Sequence, residues 1–177
     1  MPRRIVVVGV SGNGKTTLSR RLAWRLKVPY IELDSFQHLP GWVQAKEEDF
    51  LRNVEAALNR SDGWVVDGSY MAALRSLLLP RADTVVWLDL PVRIFLSRLL
   101  RRTVRDIVTK RDMFNGNRQT IRFAFFVKDS LFSWAIKSHF RRRGTFPQLF
   151  SDYPQVELVR LRSPRAVERW FAAQKEG

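Results

Sequence analysis

The sequence predicts an α/β three-layer sandwich built on a five-stranded parallel sheet. Two observations predict it: short Val- and Leu-rich runs alternate with longer amphipathic stretches, and several of the runs are apolar almost throughout, as strands covered on both faces are. The runs are RIVVVGV (4–10), YIEL (30–33), WVVDG (64–68), TVVWLDL (84–90) and VELVRL (156–161). Leu18, Leu22 and Leu26 recur every four residues and predict a helix after the first strand. Phe50, Val54, Ala57 and Leu58 form a second stripe, Val92, Phe95, Leu96 and Leu99 a third, and Val167, Trp170 and Phe171 a last one. In the segment 122–143, Phe123, Phe126, Val127, Ser130, Leu131 and Trp134 follow helical spacing. That predicts a core helix whose basic end suits the helix dipole, in preference to a nucleic-acid platform.

The length, 177 residues, suits one domain with a real core. Cysteine is absent, which excludes disulfides, thiolate metal sites and cysteine nucleophiles, and a cytoplasmic setting is expected. No apolar run is long enough to span a bilayer, so no membrane partner is expected. Net charge is +14, and its placement is uneven: between Arg93 and Arg143 fourteen Arg or Lys stand against three Asp. Of the 31 basic residues 24 are Arg, whose planar forks suit phosphate oxygens.

Residues 9–17, GVSGNGKTT, match G-x-x-x-x-G-K-[ST] between a predicted strand and a predicted helix. Gly9, Gly12 and Gly14 let the backbone curl so that successive N–H groups point into one hollow, with Ser11, Asn13 and Thr17 completing the expected phosphate-binding loop. Lys15 is expected to reach the β- and γ-phosphates of ATP, and the Thr16 hydroxyl to bind Mg²⁺. Ligands of open parallel sheets bind beyond the carboxyl ends of the strands, where Asp34, Asp67 and Asp89 fall. Asp67 is expected to hold Mg²⁺, Asp34 to orient an acceptor hydroxyl or take its proton, and Asp89 to cap the next helix. On the following helix Arg98, Arg102 and Arg105 cluster at the edge of the buried face. Beyond them Lys110, Arg111 and Arg118 surround turn residues in a segment suited to a phosphate-covering flap.

With GVSGNGKTT, the stretches YIELDSFQHLPGW, WVVDGSY, WLDLPVRIFLSRLLRRT and FNGNRQT resemble a P-loop kinase of the nucleoside monophosphate kinase type. The resemblance is closer to the adenylate kinase-related proteins often labelled topology modulation proteins. It implies that Asp67 helps hold Mg²⁺, that Arg98 packs on adenine and Arg102 contacts phosphates, and that Arg111 and Arg118 are lid arginines. It also places the base edge near Ser163 and Pro164. One departure stands out: no Arg follows the Asp-Gly pair closely, and Arg75 is the next candidate. Asp34 lies where small-molecule P-loop kinases, such as shikimate or uridine kinases, carry an Asp touching the acceptor hydroxyl. The expectation is one P-loop NTPase domain over 1–177, with an acceptor-binding insert at about 35–60 and a small Arg-rich lid at about 103–120. Lys15, Asp34, Asp67, Arg102 and Arg118 would be catalytic, and Gly9, Ser11, Gly12, Asn13, Gly14, Lys15, Thr16, Thr17, Arg98 and Arg102 would hold ATP. The activity expected is phosphoryl transfer from ATP–Mg²⁺ to a small acceptor, a nucleotide or nucleoside. A nucleotide-gated DNA binder and a plain NTPase are the alternatives.

Overall fold

Five apolar runs become five parallel strands: β1 (Arg4–Gly9), β2 (Tyr30–Glu32), β3 (Trp64–Asp67), β4 (Thr84–Leu88) and β5 (Glu157–Leu161). They pair in the order β2-β3-β1-β4-β5, with β1 in the middle. The computed structural model describes residues 3–109, 112, 114–117 and 131–174. Its helices are α1 (Lys15–Leu26), α2 (Leu33–Gln37), α3 (Glu47–Leu58), α4 (Met71–Ala73, continued by a π-helical turn Leu74–Leu78), α5 (Val92–Val108), α6 (Leu131–Ser151) and α7 (Pro164–Ala172).

Strands β3 and β4 are buried along their whole length, and β1 from Ile5 onward, because helices lie on both faces. On one face Val6, Val66 and Trp87 pack against Phe50 and Val54 of α3, Leu74 of α4 and Phe146 of α6. On the other, Ile5, Val7 and Val65 meet Leu18 and Leu22 of α1 and Phe171 of α7. The helix–sheet–helix sandwich is therefore the predicted fold, and the stripes of α1, α3 and α5 lie where their spacing put them.

Four features differ from expectation. Helix α4 was not foreseen: MAALRSLLL holds leucines at 74, 77, 78 and 79, and the last turn widens so that Leu79 N–H donates to Leu74 C=O at 2.9 Å. In α6, Trp134 is exposed and the buried face is Ala135, Ser138, His139 and Phe146; Phe123, Phe126, Val127 and Ser130 lie outside the described residues. Because α6 continues through Pro147 to Ser151, Arg141–Arg143 sit in its middle, where the helix dipole gives them no support. Residues 103–108 of the expected lid are an unbroken extension of α5.

The fourth difference is Asp89. Helix α5 is capped by Pro91, with no side-chain cap. Asp89 is instead buried and accepts from Arg143 Nε at 2.8 Å and from Arg160 Nε and Nη2 at 3.0 and 2.6 Å. Arg160 also lies over the Trp87 ring, 4.1 Å from its centre. One carboxylate thus ties the end of β4 to β5 and to α6. Asp89→Ala removes the shared counter-ion of two guanidiniums and should destabilise the fold by about 3 kcal/mol in urea unfolding. A loss under about 1 kcal/mol, the worth of an exposed pair, would contradict this role.

Candidate active site

The glycine loop leaves β1 at Gly9 and folds against α5. Gly12 has φ 87°, and a Cβ there would lie 2.3 Å from the carbonyl oxygen of Phe95, so only glycine permits the approach. Val10 seals the underside with Phe95, Leu99 and Ala135. Asn13 is buried, its Nδ2 donating to Leu88 C=O at 2.6 Å and its backbone N–H to Val10 C=O at 3.2 Å. Asn13 therefore braces the loop; it also lines the cavity above it, and its Oδ1 is buried with no partner among the described residues. Helix α1 starts behind left-handed Gly14 without a side-chain cap, so its first N–H groups face outward with no internal partner.

Above that helix start lies a cavity of about 750 Å³. Lys15, Thr16, Arg98 and Arg102 wall one side; Pro164 and Val167 at the start of α7 wall the other. Gly12, Gly14 and Thr17 also line it, whereas Gly9 and Ser11 do not. The Arg98 guanidinium lies beside Gly14, and Arg102 stands one turn further along α5. Ser163 caps α7 through Ala166 N–H at 3.2 Å. Arg21 and Glu168 form a two-point bond at 2.7 and 2.9 Å that closes α1 against α7; it raises the Arg21 pKa and lowers that of Glu168.

The register of β1 and β3 puts Val7 opposite Asp67, and this brings Asp67 to the loop. Asp67 is buried; its Oδ2 accepts from Thr16 Oγ1 at 2.6 Å and from Tyr30 OH at 3.3 Å, and its Oδ1 has no partner among the described residues. Burial raises the Asp67 pKa, against the pull of Lys15 and the Thr16 bond. Burial likewise lowers the Lys15 pKa, although Asp67 and Asp34 oppose it, and the ammonium donates to Val10 C=O at 3.4 Å. Arg102 is also lowered, by burial first. Two half-buried cations thus line the cavity beside a buried aspartate: a polyphosphate would satisfy the cations and a hard divalent ion the aspartate. The Thr16 hydroxyl and the unpartnered Asp67 oxygen are donors that fit Mg²⁺. Among the described residues no group of three or more His, Cys, Asp or Glu could hold a metal, so such an ion would take its other ligands from phosphate and water.

Asp34, in the first turn of α2, does not line the cavity but lies close enough to Lys15 to act on it. Tyr70 OH donates to Asp34 Oδ1 at 2.6 Å and lies 3.4 Å from His38 Nε2; Trp42 meets the His38 ring edge-on. Burial and Asp34 raise the Tyr70 pKa. Arg142 of α6 faces the same place: burial, with Arg141 beside it, lowers its pKa to about 10, and its Nη1 is buried without a partner among the described residues. Tyr30, Tyr70 and Arg142 were missed by the sequence reading. Tyr70 stands three residues after Asp67 and was within reach of it, but nothing in the Arg141–Arg143 run says which arginine turns inward. Arg75 is exposed and does not line the cavity; Lys110, Arg111 and Arg118 lie outside the described residues.

A glycine loop from the central strand, a Lys-Thr helix start and an aspartate ending the neighbouring strand define the α/β P-loop kinase fold. No protein-family model matches the chain. It is 28% identical over 123 residues to the shikimate kinase of Bradyrhizobium diazoefficiens, covering 62% of this chain and 59% of that protein. It is 28% identical over 110 residues to that of a Sulfurihydrogenibium species, covering 55% and 66%. With the shikimate kinase of Ruegeria pomeroyi the identity is 25% over 146 residues, covering 75% and 73%. The chain thus spans less than two thirds of the first two relatives. The crystal structure of shikimate kinase from Bacteroides thetaiotaomicron superposes with a TM-score of 0.56 at 19% identity, covering 97% of this chain and 96% of that one. A sugar kinase from a Janibacter species gives 0.53 at 22%, covering 97% and 94%. A gluconokinase from Sinorhizobium meliloti gives 0.52 at 20%, covering 97% and 92%. The structural likenesses show the α/β P-loop kinase fold; the adenylate kinase-related resemblance, and with it a nucleotide acceptor, draws no support from the comparisons. No helix among the described residues is long and apolar enough to cross a membrane.

The raised Asp67 pKa has a measurable consequence. Its ionised form is disfavoured in the fold, so the stability this group contributes when protonated is lost as pH rises through its folded pKa. Without ligand, Asp67→Asn should melt above wild type near neutral pH, with the gap narrowing as pH falls through the raised folded pKa and closed below about pH 4, the ordinary carboxylate range. A variant that melts lower at neutral pH, or a gap independent of pH, would contradict the assignment.

Proposed function

We propose that this chain transfers the γ-phosphoryl group of ATP to a hydroxyl of a small polar acceptor, and that the acceptor is a sugar or hydroxy acid. The observation that carries the reading is the convergence of three groups beside the phosphate loop: the Lys15 ammonium, the Asp67 carboxylate bonded to Thr16, and Asp34 bonded to Tyr70. The α1 N–H groups, Lys15 and Arg102 bind the β- and γ-phosphates, and Arg98, beside Gly14 in the cavity wall, packs against the nucleotide. Thr16 and Asp67 would hold Mg²⁺, which would supply neutralising charge on the phosphates. Asp34, fixed by Tyr70, orients the acceptor hydroxyl and takes its proton. A bond forms between that oxygen and the γ-phosphorus while the bond to the β–γ bridging oxygen breaks, and ADP leaves with the electron pair. The transfer needs positioning and charge neutralisation, which these residues supply. The unpartnered Arg142 Nη1 favours an acceptor that carries a negative group, such as a carboxylate, as do the shikimate kinase and gluconokinase likenesses.

Incubation with MgATP and a panel of polyols, sugars, hydroxy acids, nucleosides and nucleoside monophosphates, read by product mass, tests the reading. One phosphoryl group should be added to a sugar or hydroxy acid. Phosphorylation of nucleosides or nucleotides alone would overturn the acceptor class. Lys15→Ala should lower turnover by at least about a hundredfold, the worth of one buried charged donor at a transition state, without a fall in melting temperature. Undiminished turnover in that variant would overturn the kinase reading.

A further inference from the structure

Two asparagines after α5 hold the segment that presents Asp34, His38 and Trp42. Asn117 is buried and uses both ends of its amide: Nδ2 donates to Leu39 C=O at 2.9 Å, and Oδ1 accepts from Trp42 N–H at 2.9 Å. Asn115, in the left-handed conformation at φ 52°, donates from Nδ2 to Ser35 C=O at 3.1 Å and His38 C=O at 2.5 Å. The segment they grip is itself unusual, with Gly41 and Trp42 both at positive φ. Its own backbone bonds, Leu39 N–H to Val43 C=O at 2.8 Å and Ala45 N–H to Gln37 C=O at 2.9 Å, close it into a loop.

In sequence these asparagines follow residues that line the cavity. Arg98, Arg102 and Asp106 of α5 line the cavity, as does Asp112 after it, and Asn115 follows three residues later. From this order we infer that Asn117, with Asn115, is a positioning residue that makes the placement of the acceptor segment depend on nucleotide bound in the cavity. The inference rests on the kinase reading and adds to it a coupling between the two substrates.

Amide hydrogen exchange with MgAMP-PNP as the only ligand tests it. In the wild type the nucleotide should slow exchange at the start of α1 and also at Leu39 and Ala45. The slowing at those two amides should be about fivefold, the worth of one net hydrogen bond. Neither amide is bonded to an asparagine side chain, so their response reports the coupling. Asn117→Ala should bind MgAMP-PNP within about threefold of wild type and keep the α1 response, but lose the response at Leu39 and Ala45. A purely structural clasp would speed exchange there equally with and without nucleotide and leave the response intact. That result would overturn the inference, as would a wild type that responds only at α1. Asn115→Ala, at an exposed position, carries the same test if Asn117→Ala does not fold. Failure of wild type to bind MgAMP-PNP at all would instead sink the kinase reading.

Discussion

A hydrogen bond of 2.6 Å between the Thr16 hydroxyl and the Asp67 carboxylate joins the two halves of the site, and the rest of the structure is arranged so that it can form. The residues are 51 apart in sequence. They meet because β1 pairs with β3 in a register that sets Val7 against Asp67, and because Gly12 lets the intervening loop lie on the backbone of α5. A shift of one residue in that register would turn Asp67 to the other face of the sheet. The apolar interior of the sandwich maintains the register, so the packing of valines and leucines sets the geometry of the charged groups.

Those groups are held at a cost. Lys15, Arg102 and Arg142 have depressed pKa values and Asp67 a raised one, in each case with burial as the leading cause. A fold selected for stability alone would pair them; Asp89, shared by Arg143 and Arg160, shows what such pairing looks like a short way along the same sheet edge. The contrast separates the two kinds of buried charge. Asp89 is internally satisfied and serves the fold. Asp67 Oδ1 and Arg142 Nη1 are unpartnered, and groups in that state suit ligands that complete them.

The strands and the glycine loop were legible in the sequence because their signals are local: apolar runs, four-residue spacing, and a motif whose residues are contiguous. Asp67 was legible because it ends a strand beside that motif. Asp89 was misjudged, since a strand-end aspartate before a proline looks like a cap, and its partners lie 54 and 71 residues away. The same distance hid Arg142 within a run of three arginines, and hid Asn117, whose hold on Leu39 spans 78 residues. Local pattern fixes an element; it does not say which polar side chains converge when elements pack. The basic middle of the chain illustrates this. Its arginines suit phosphate, yet the structure divides them among the cavity wall at Arg98 and Arg102, a place near Asp34 and Tyr70 at Arg142 and the structural pair at Arg143.

The site is thus read as a phosphate hollow with a metal-binding corner on one side and a hydroxyl-orienting carboxylate on the other. Its central element is the corner formed by Thr16 and Asp67. A crystal grown with AMP-PNP and Mn²⁺ in place of Mg²⁺ examines that corner most directly, because the anomalous signal of manganese locates the ion independently of the protein. The account predicts a single strong peak next to Thr16 Oγ1 and Asp67, with the triphosphate enclosed by residues 9–16. A peak beyond reach of both oxygens, or a triphosphate bound elsewhere, would contradict it.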